Sequence, residues 1–392
     1  MIKLAGMAFA IASLRELRLF YGLWPTPLLV LLVYSVVGPI IDLFKLPLDV
    51  SALNTFFGPL LMWILMLATY NLAVRGGRGR IVLALVLSSL LFAVFQVFEL
   101  GGVGMQVAEE VHNGETADRV WMLHADPNFG SCFMALSILA GVMYLLNLVP
   151  VRAFYRILAV PVVAVGVYGI IKTSSRTGLA ALILGLLAIV LTARTWNRRI
   201  KTFLFVALVL CGITALVFAS SLFSARLNDS LTTGDTADRI TIWGQSVLLF
   251  LHSPFYGYGA QSYSFPLGER AGHPGIATHN VFLSAALGSG LIGLFSLMFV
   301  YIRAFASIFA NRTQGRNRIV FVWFVMTFTA ALSLNMEYAK WYWIILALAL
   351  AAGKDRHQRG PAIRSPPGLN LQSALFNKSR PDGGECLPIE PR

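Results

Sequence analysis

Apolar runs broken by short polar turns fill most of the chain. A hydrocarbon layer about 30 Å thick takes roughly 20 helical residues to cross. On that measure the pattern predicts spans near 23–41, 52–74, 81–98, 127–148, 157–171, 177–193, 202–222, 281–302, 319–336 and 339–353. The expected fold is therefore all-α, a polytopic transmembrane helical bundle of about ten spans within residues 1–353. The tail, 354–392, is rich in Pro, Gly and charge and reads as disordered. One interruption differs in kind. Between the seventh and eighth spans lies a long polar loop, residues 224–280. Inside it Ile240, Trp243, Val247, Leu248 and Leu251 recur on one helical face, predicting an amphipathic helix from about Ala237 to Leu251 that lies in the membrane interface. Asp235 or Thr236 is its expected cap, and Pro254 ends it. Tyr256-Gly-Tyr-Gly259 then suits close backbone approach or positive φ.

Composition agrees with the pattern: 57% of residues are apolar, 12% are charged, and the mean hydropathy is +0.71. A soluble domain carries about 25% charged residues. The net charge of +13 would suggest nucleic acid, but its distribution says otherwise. With ten crossings, both termini and the turns after spans two, four, six and eight share one side, which collects 23 of the 31 basic residues. Lysine and arginine bias sets orientation, so that side is expected to be cytoplasmic and the 224–280 loop extracytoplasmic. The three cysteines form no CxxC pair, and no histidine pair has metal-ligand spacing, so neither zinc nor any other metal or cofactor is expected. The Gly-rich turn lacks a following GK[ST] and is not a nucleotide loop.

Candidate chemistry gathers at the side opposite the basic turns. Asp126 is expected to cap the fourth span, with Pro127 at its first position and Asn128 beside it. Lys172-Thr-Ser-Ser-Arg-Thr-Gly178 brings Ser174, Ser175 and Thr177, all cap-forming types, to the start of the sixth span with Arg176. A helix N-terminus with a guanidinium suits phosphate. Arg239, at the head of the amphipathic helix, is a second such position, although pairing with Asp235 or Asp238 would also account for it. His279 and Asn280 stand at the mouth of the eighth span. His titrates near neutrality, but a lone His is more often a structural hydrogen-bonder. Glu337 and Lys340, in an aromatic-rich turn, are expected to pair.

Taken in order, Asp126-Pro-Asn128, Ser174-Ser-Arg-Thr-Gly178, Arg239-x-x-x-Trp243, His252-Ser-Pro-x-x-Gly-x-Gly259 and Thr278-His-Asn280 resemble the O-antigen ligase and polymerase superfamily over roughly residues 120–300. The resemblance implies a metal-independent, inverting glycosyltransferase of the bacterial inner membrane, with both termini cytoplasmic and a periplasmic active site. Its donor would be a polyprenyl-pyrophosphate-linked glycan. Its acceptor would be lipid A-core or another glycan chain, and ligase, exopolysaccharide polymerase and protein glycosylation all stay open. Arg176 and Arg239 match the arginines thought to hold the pyrophosphate, and His279 the histidine proposed to activate the acceptor hydroxyl. Ser175, Thr177, Tyr258 and Asn280 are the expected further substrate contacts. The competing class is a transporter of a small anion or lipid-linked sugar, which should place polar or broken helices at mid-membrane.

Overall fold

A computed structural model describes residues 25–45, 50–98, 105–112, 115–122, 126–232, 238–272 and 275–354. The bundle helices in chain order are α1 (Thr26–Lys45), α2 (Val50–Leu72), α3 (Arg78–Phe98), α4 (Pro127–Leu145), α5 (Ala153–Thr173), α6 (Arg176–Val190) and α7 (Trp196–Ala219). The long loop carries α8 (Ser221–Thr232), α9 (Arg239–His252) and α10 (Ser264–Ala271). Then follow α11 (Val281–Asn311), α12 (Asn317–Ala331) and α13 (Lys340–Ala351).

A helix lies within each expected span, yet six segments among the described residues are long and apolar enough to cross a membrane. One of them, Phe56–Phe98, covers two expected spans in 43 residues and is broken at Gly76, where φ is +92°. The 15-residue helices α6 and α12 reach only about 22 Å at 1.5 Å per residue, so a count of ten full crossings is not established. One departure from an all-helical chain stands in the loop before α4. Strands β1 (Met105–His112) and β2 (Glu115–Met122) pair antiparallel, His112 opposite Glu115. The two residues between them in sequence are Asn113-Gly114, the commonest two-residue hairpin signal.

The core helices meet through small residues. A methyl added at Gly141 of α4 would lie 2.8 Å from Val163 of α5, and one at Gly166 of α5 would lie 2.5 Å from Ile138 of α4. Apolar lipid gives helices no hydrophobic drive to associate, so such close backbone packing carries more of the burden.

The two ends of the bundle differ. At one end the four basic turns touch one another: Arg78 Nη1 donates to Asn317 Oδ1 at 2.8 Å, Arg194 Nε to the Thr313 carbonyl at 3.2 Å, and Arg318 Nη1 to the Leu148 carbonyl. At the other end lie the starts of α4, α6 and α11 and the turn after α12. The helices between keep these ends a bundle-length apart.

The helix α11 is not continuous. Gly290 sits at φ +63° and ψ −157°, a conformation open essentially to glycine alone. Into the break docks the turn after α9. Tyr258 N donates to the Leu287 carbonyl at 2.6 Å, Gly259 N to the Gly288 carbonyl at 3.0 Å, and Leu291 N to the Pro254 carbonyl at 2.7 Å. A methyl at Gly257 would lie 2.5 Å from the Leu287 oxygen. The expected positive φ is found at both Gly257 (+72°) and Gly259 (+106°). The Ser-Pro-x-x-Gly-x-Gly259 segment is thus a strap that satisfies backbone groups opened by the kink. Asp42 of α1, buried, fixes the far side of the strap by accepting from Gln261 N (2.9 Å), Ser262 N (3.0 Å) and Ser262 Oγ (2.6 Å).

Candidate functional site

Four helix starts meet at the end opposite the basic turns. The first is α4: Asp126 accepts from Asn128 N at 2.6 Å, with Pro127 at the first helical position, as expected. The second is α6. Ser174 does not cap it; it closes α5 in a left-handed conformation (φ +48°), and Ser175 is the cap, accepting from Gly178 N at 3.0 Å. Ser175 Oγ also donates to Asn128 Oδ1 at 2.8 Å, which ties α6 to α4. A methyl at Gly178 would lie 2.0 Å from Ser131 Oγ, so only glycine admits this approach. Arg176 is therefore the first residue of α6, half-buried at a crowded helix start.

The third start is α9, which begins at Arg239 rather than Ala237. Its cap position is Asp238, left-handed at φ +57° and making no side-chain cap bond, while 235 and 236 lie outside the described residues. Arg239 Nη1 donates to Thr177 Oγ1 at 3.0 Å, joining α9 to the first turn of α6. The apolar stripe faces outward: Ile240 is 65% exposed and Leu251 64%, with Val247 and Leu248 also exposed, while Ile242, Ser246 and Leu249 face the protein. Trp243 leaves the stripe, and its indole N–H donates to the Thr278 carbonyl at 3.0 Å.

The fourth start is α11, capped by Asn280, whose Oδ1 accepts from Phe282 N (2.9 Å) and Leu283 N (3.1 Å). Its Nδ2 donates to the Leu332 carbonyl at 3.1 Å. Asn335 Oδ1 accepts from Asn280 N at 3.2 Å and from Thr278 Oγ1 at 3.3 Å. His279 is held between these two anchored neighbours at φ +48°. Of the four described non-glycine residues with positive φ, Ser174, Asp238 and His279 stand here, each beside or at a candidate residue. Left-handed backbone disfavours side chains, and its concentration at one place marks a site the surroundings over-determine.

The charges interact in a chain. Burial lowers the Arg239 pKa, Arg176 lowers it further, and Asp126 opposes both. Burial likewise lowers His279 below the ordinary histidine value, with Arg239 adding to the effect and Asp126 resisting it. At neutral pH His279 is thus a neutral imidazole, able to accept a proton, beside a guanidinium that stays charged. Two guanidiniums at converging helix N-termini suit an anion chemically, since helix N–H groups and the macrodipole share their sign. Among the described residues no three His, Cys, Asp or Glu side chains gather as metal ligands.

Of the residues singled out in the sequence, Arg176, Arg239 and His279 form one electrostatically coupled chain, with Thr177 bonded to Arg239 and Ser175 bonded to Asn128 and Gly178. Asn280 spends its amide on the helix cap and on Leu332. Tyr258 stands elsewhere: its hydroxyl donates to the Leu249 carbonyl at 3.3 Å, ten residues or about 15 Å along α9 from Arg239. Lys45 Nζ lies 5.2 Å from its ring centroid. His273 and His124 are outside the described residues. Asn335 was not visible in the sequence as a partner; its only signal is a polar residue at the end of an apolar run.

Residues 161–298 match a family model described as O-antigen ligase. That stretch runs from within α5 into α11 and contains Arg176, Arg239 and His279. No curated protein matches the chain.

Proposed function

From the O-antigen ligase match across residues 161–298, we propose that the protein transfers a glycan from a polyprenyl-pyrophosphate carrier to an acceptor hydroxyl at the outer face of a bacterial inner membrane. The observation that carries this reading is the charge-coupled chain Arg176–Arg239–His279 at the junction of helix starts. The basic turns at the opposite end support that orientation, because the Lys/Arg bias of turns favours the cytoplasmic side.

In this mechanism the guanidiniums of Arg176 and Arg239 hold the pyrophosphate. Thr177, bonded to Arg239, fixes the second guanidinium, and Ser175 fixes the turn carrying the first. The acceptor oxygen attacks the anomeric carbon from the side opposite the leaving group, which inverts its configuration. The bond from that carbon to the phosphate oxygen breaks, and its electron pair goes to the pyrophosphate. Charge growing there meets fixed donors that need no reorganisation. The acceptor's proton passes to the neutral imidazole of His279, kept neutral by burial and by Arg239. Asn280 and Asn335 hold the backbone on either side of that imidazole. The exposed apolar stripe of α9 suits a helix resting in the membrane interface, where a lipid-borne donor arrives.

His279→Ala is expected to abolish transfer while leaving insertion in the membrane and the amount of protein unchanged. Full activity in that variant removes His279 as the base. Deleting the gene and examining surface polysaccharide separates the products. Loss of glycan on lipid A-core with free polymer intact means a ligase, and single-repeat products mean a polymerase. Unchanged glycans overturn the transferase reading and favour transport.

A further inference from the structure

Five residues beyond His279, or about 7.5 Å along α11, Ser284 faces a second space. A cavity of about 420 Å³ lies there between α1, α2, α11, the strap and the turn before α13. It falls within the range of small-ligand sites, roughly 300–1,000 Å³. Tyr34, Tyr338 and Trp343 give it aromatic walls, and Gln261, Ser289 and Glu337 give it polar ones. Tyr263, buried, joins the cavity's Ser284 to the turn before α11, its hydroxyl lying 3.2 Å from Ser284 Oγ and bonded also to Thr278.

Glu337 is the unusual member. It does not pair with Lys340; its Oε1 accepts from Ser284 Oγ at 2.6 Å, and Trp343 Nε1 donates to its backbone carbonyl at 2.9 Å. Its second carboxyl oxygen, Oε2, is buried with no hydrogen-bond partner among the described residues. A buried polar oxygen left unbonded is costly, and here it stands at the wall of a cavity large enough for a ligand. Burial pushes the pKa of this carboxyl up to about 7, so near neutrality it both donates and accepts. A carboxyl of that kind, with neutral amide and hydroxyl groups beside aromatic faces, matches a neutral polyhydroxylated ring. It matches a fixed ammonium less well, because a cation calls for a fully ionised partner.

We infer that this cavity binds one pyranose ring of a glycan substrate, with the Glu337 carboxyl bonded to ring hydroxyls and the aromatic walls packed on its apolar face. This rests on the proposed glycan chemistry. The ring is one that does not react, since none of Arg176, Arg239 and His279 lines the cavity, and it positions the glycan that does. Either the donor or the acceptor glycan presents such a ring.

The test uses the full chain in lipid nanodiscs and saturation-transfer NMR with methyl glycosides of glucose, galactose, mannose, rhamnose and N-acetylglucosamine. Wild type and His279→Ala should both transfer saturation to at least one glycoside. Gly58→Leu should lose that signal, because a side chain at Gly58 enters open space in the cavity wall and leucine favours the helix. Glu337→Leu should weaken it. Absence of signal with every glycoside, an undiminished signal in Gly58→Leu, or displacement by ethanolamine or geraniol would each overturn the assignment. Adding a short-chain prenyl-pyrophosphate N-acetylglucosamine identifies the source: loss of the glycoside signal gives the ring to the donor, persistence gives it to the acceptor. Sugar binding with unchanged surface glycan in the deletion strain would remove the transferase reading but leave the cavity. Altered glycan with no sugar binding would remove only the cavity.

Discussion

The arginines at the two ends of the bundle live in opposite surroundings. At the basic end they are bonded to oxygens that the fold itself supplies. Arg199 Nε donates to the Ala193 carbonyl at 3.1 Å, Arg312 Nη1 to the Phe309 carbonyl at 2.7 Å, and Arg156 Nη2 to Asn147 Oδ1 at 2.7 Å. These are carbonyls left over where helices end, together with a turn amide. At the site end Arg176 and Arg239 each occupy the first position of a helix, where the backbone offers N–H groups rather than carbonyls. The bonded oxygen recorded for Arg239 belongs to a hydroxyl, and a second guanidinium lowers its pKa. An arginine at a helix start opposes the macrodipole. The basic end holds its arginines on oxygens where helices and turns end; the site end gathers guanidiniums at helix starts, which on the proposed reading receive an anion.

That contrast sets the largest expected effect. Arg176→Lys and Arg239→Lys should each reduce transfer by about 10²–10³-fold, the loss seen when one fixed donor to a developing anion is removed. Lysine keeps the charge but not the planar fork. Arg194→Lys, at the exposed basic end, should leave transfer near wild type, because a single surface contact contributes little. Rates measured in membranes from a complemented deletion strain decide it. Equal losses at both ends would mean that arginine content, not placement, matters.

The next effect contrasts the kinked helix with an ordinary one. In α11 the side chain missing at Gly290 would lie 2.2 Å from the Phe255 carbonyl, at a backbone conformation closed to other residues. Gly290→Ala should cost about 3 kcal/mol or more, from backbone strain and the clash together. It should appear as a lower unfolding temperature in detergent and a lower yield. Gly212→Ala in α7, whose added methyl meets nothing, should be neutral or slightly stabilising. A stable Gly290→Ala protein would show that the strap does not need the break.

The same contrast explains what the sequence made legible. Signals confined to a few neighbouring residues could be read directly: the Asp126-Pro127 start and the glycines of the strap rest on local chemistry, while the cap of α6 is narrowed only to Ser174, Ser175 or Thr177 until the fold selects Ser175. The grouping of Arg176 with Arg239 and His279 came from topology and from family resemblance, since no local rule joins residues so far apart. Features decided by tertiary packing were hidden. Gly290 sits in an apolar run that reads as uninterrupted helix, and its break shows only through the strap that fills it. Glu337 has Lys340 three residues away, the natural helical partner, yet a 3₁₀ turn points it at Ser284 instead. Periodicity found the apolar stripe of α9 but could not say which side it faces; with lipid as solvent the outward side is also apolar. Tyr258, an expected substrate contact, has its hydroxyl bonded to α9 and its backbone N–H to α11, ties that no local pattern announced.

The smallest expected effect concerns Asp126, a carboxylate coupled to both Arg239 and His279. Asp126 raises the pKa of His279 against burial and Arg239, which lower it. If neutral His279 is the base, the rate falls on the acid side as the imidazole takes up a proton, and that limb lies below the ordinary histidine value. Asp126→Asn removes a negative charge that holds the pKa up, so the acid limb of kcat/KM should move to still lower pH. Asparagine is as good a helix cap as aspartate, so α4 should start where it does now. The interaction crosses a partly exposed site, and added salt should narrow the gap between the two profiles. A limb that moves upward, or stays fixed at low salt, would place the titrating base somewhere other than His279, even if the arginine contrast held.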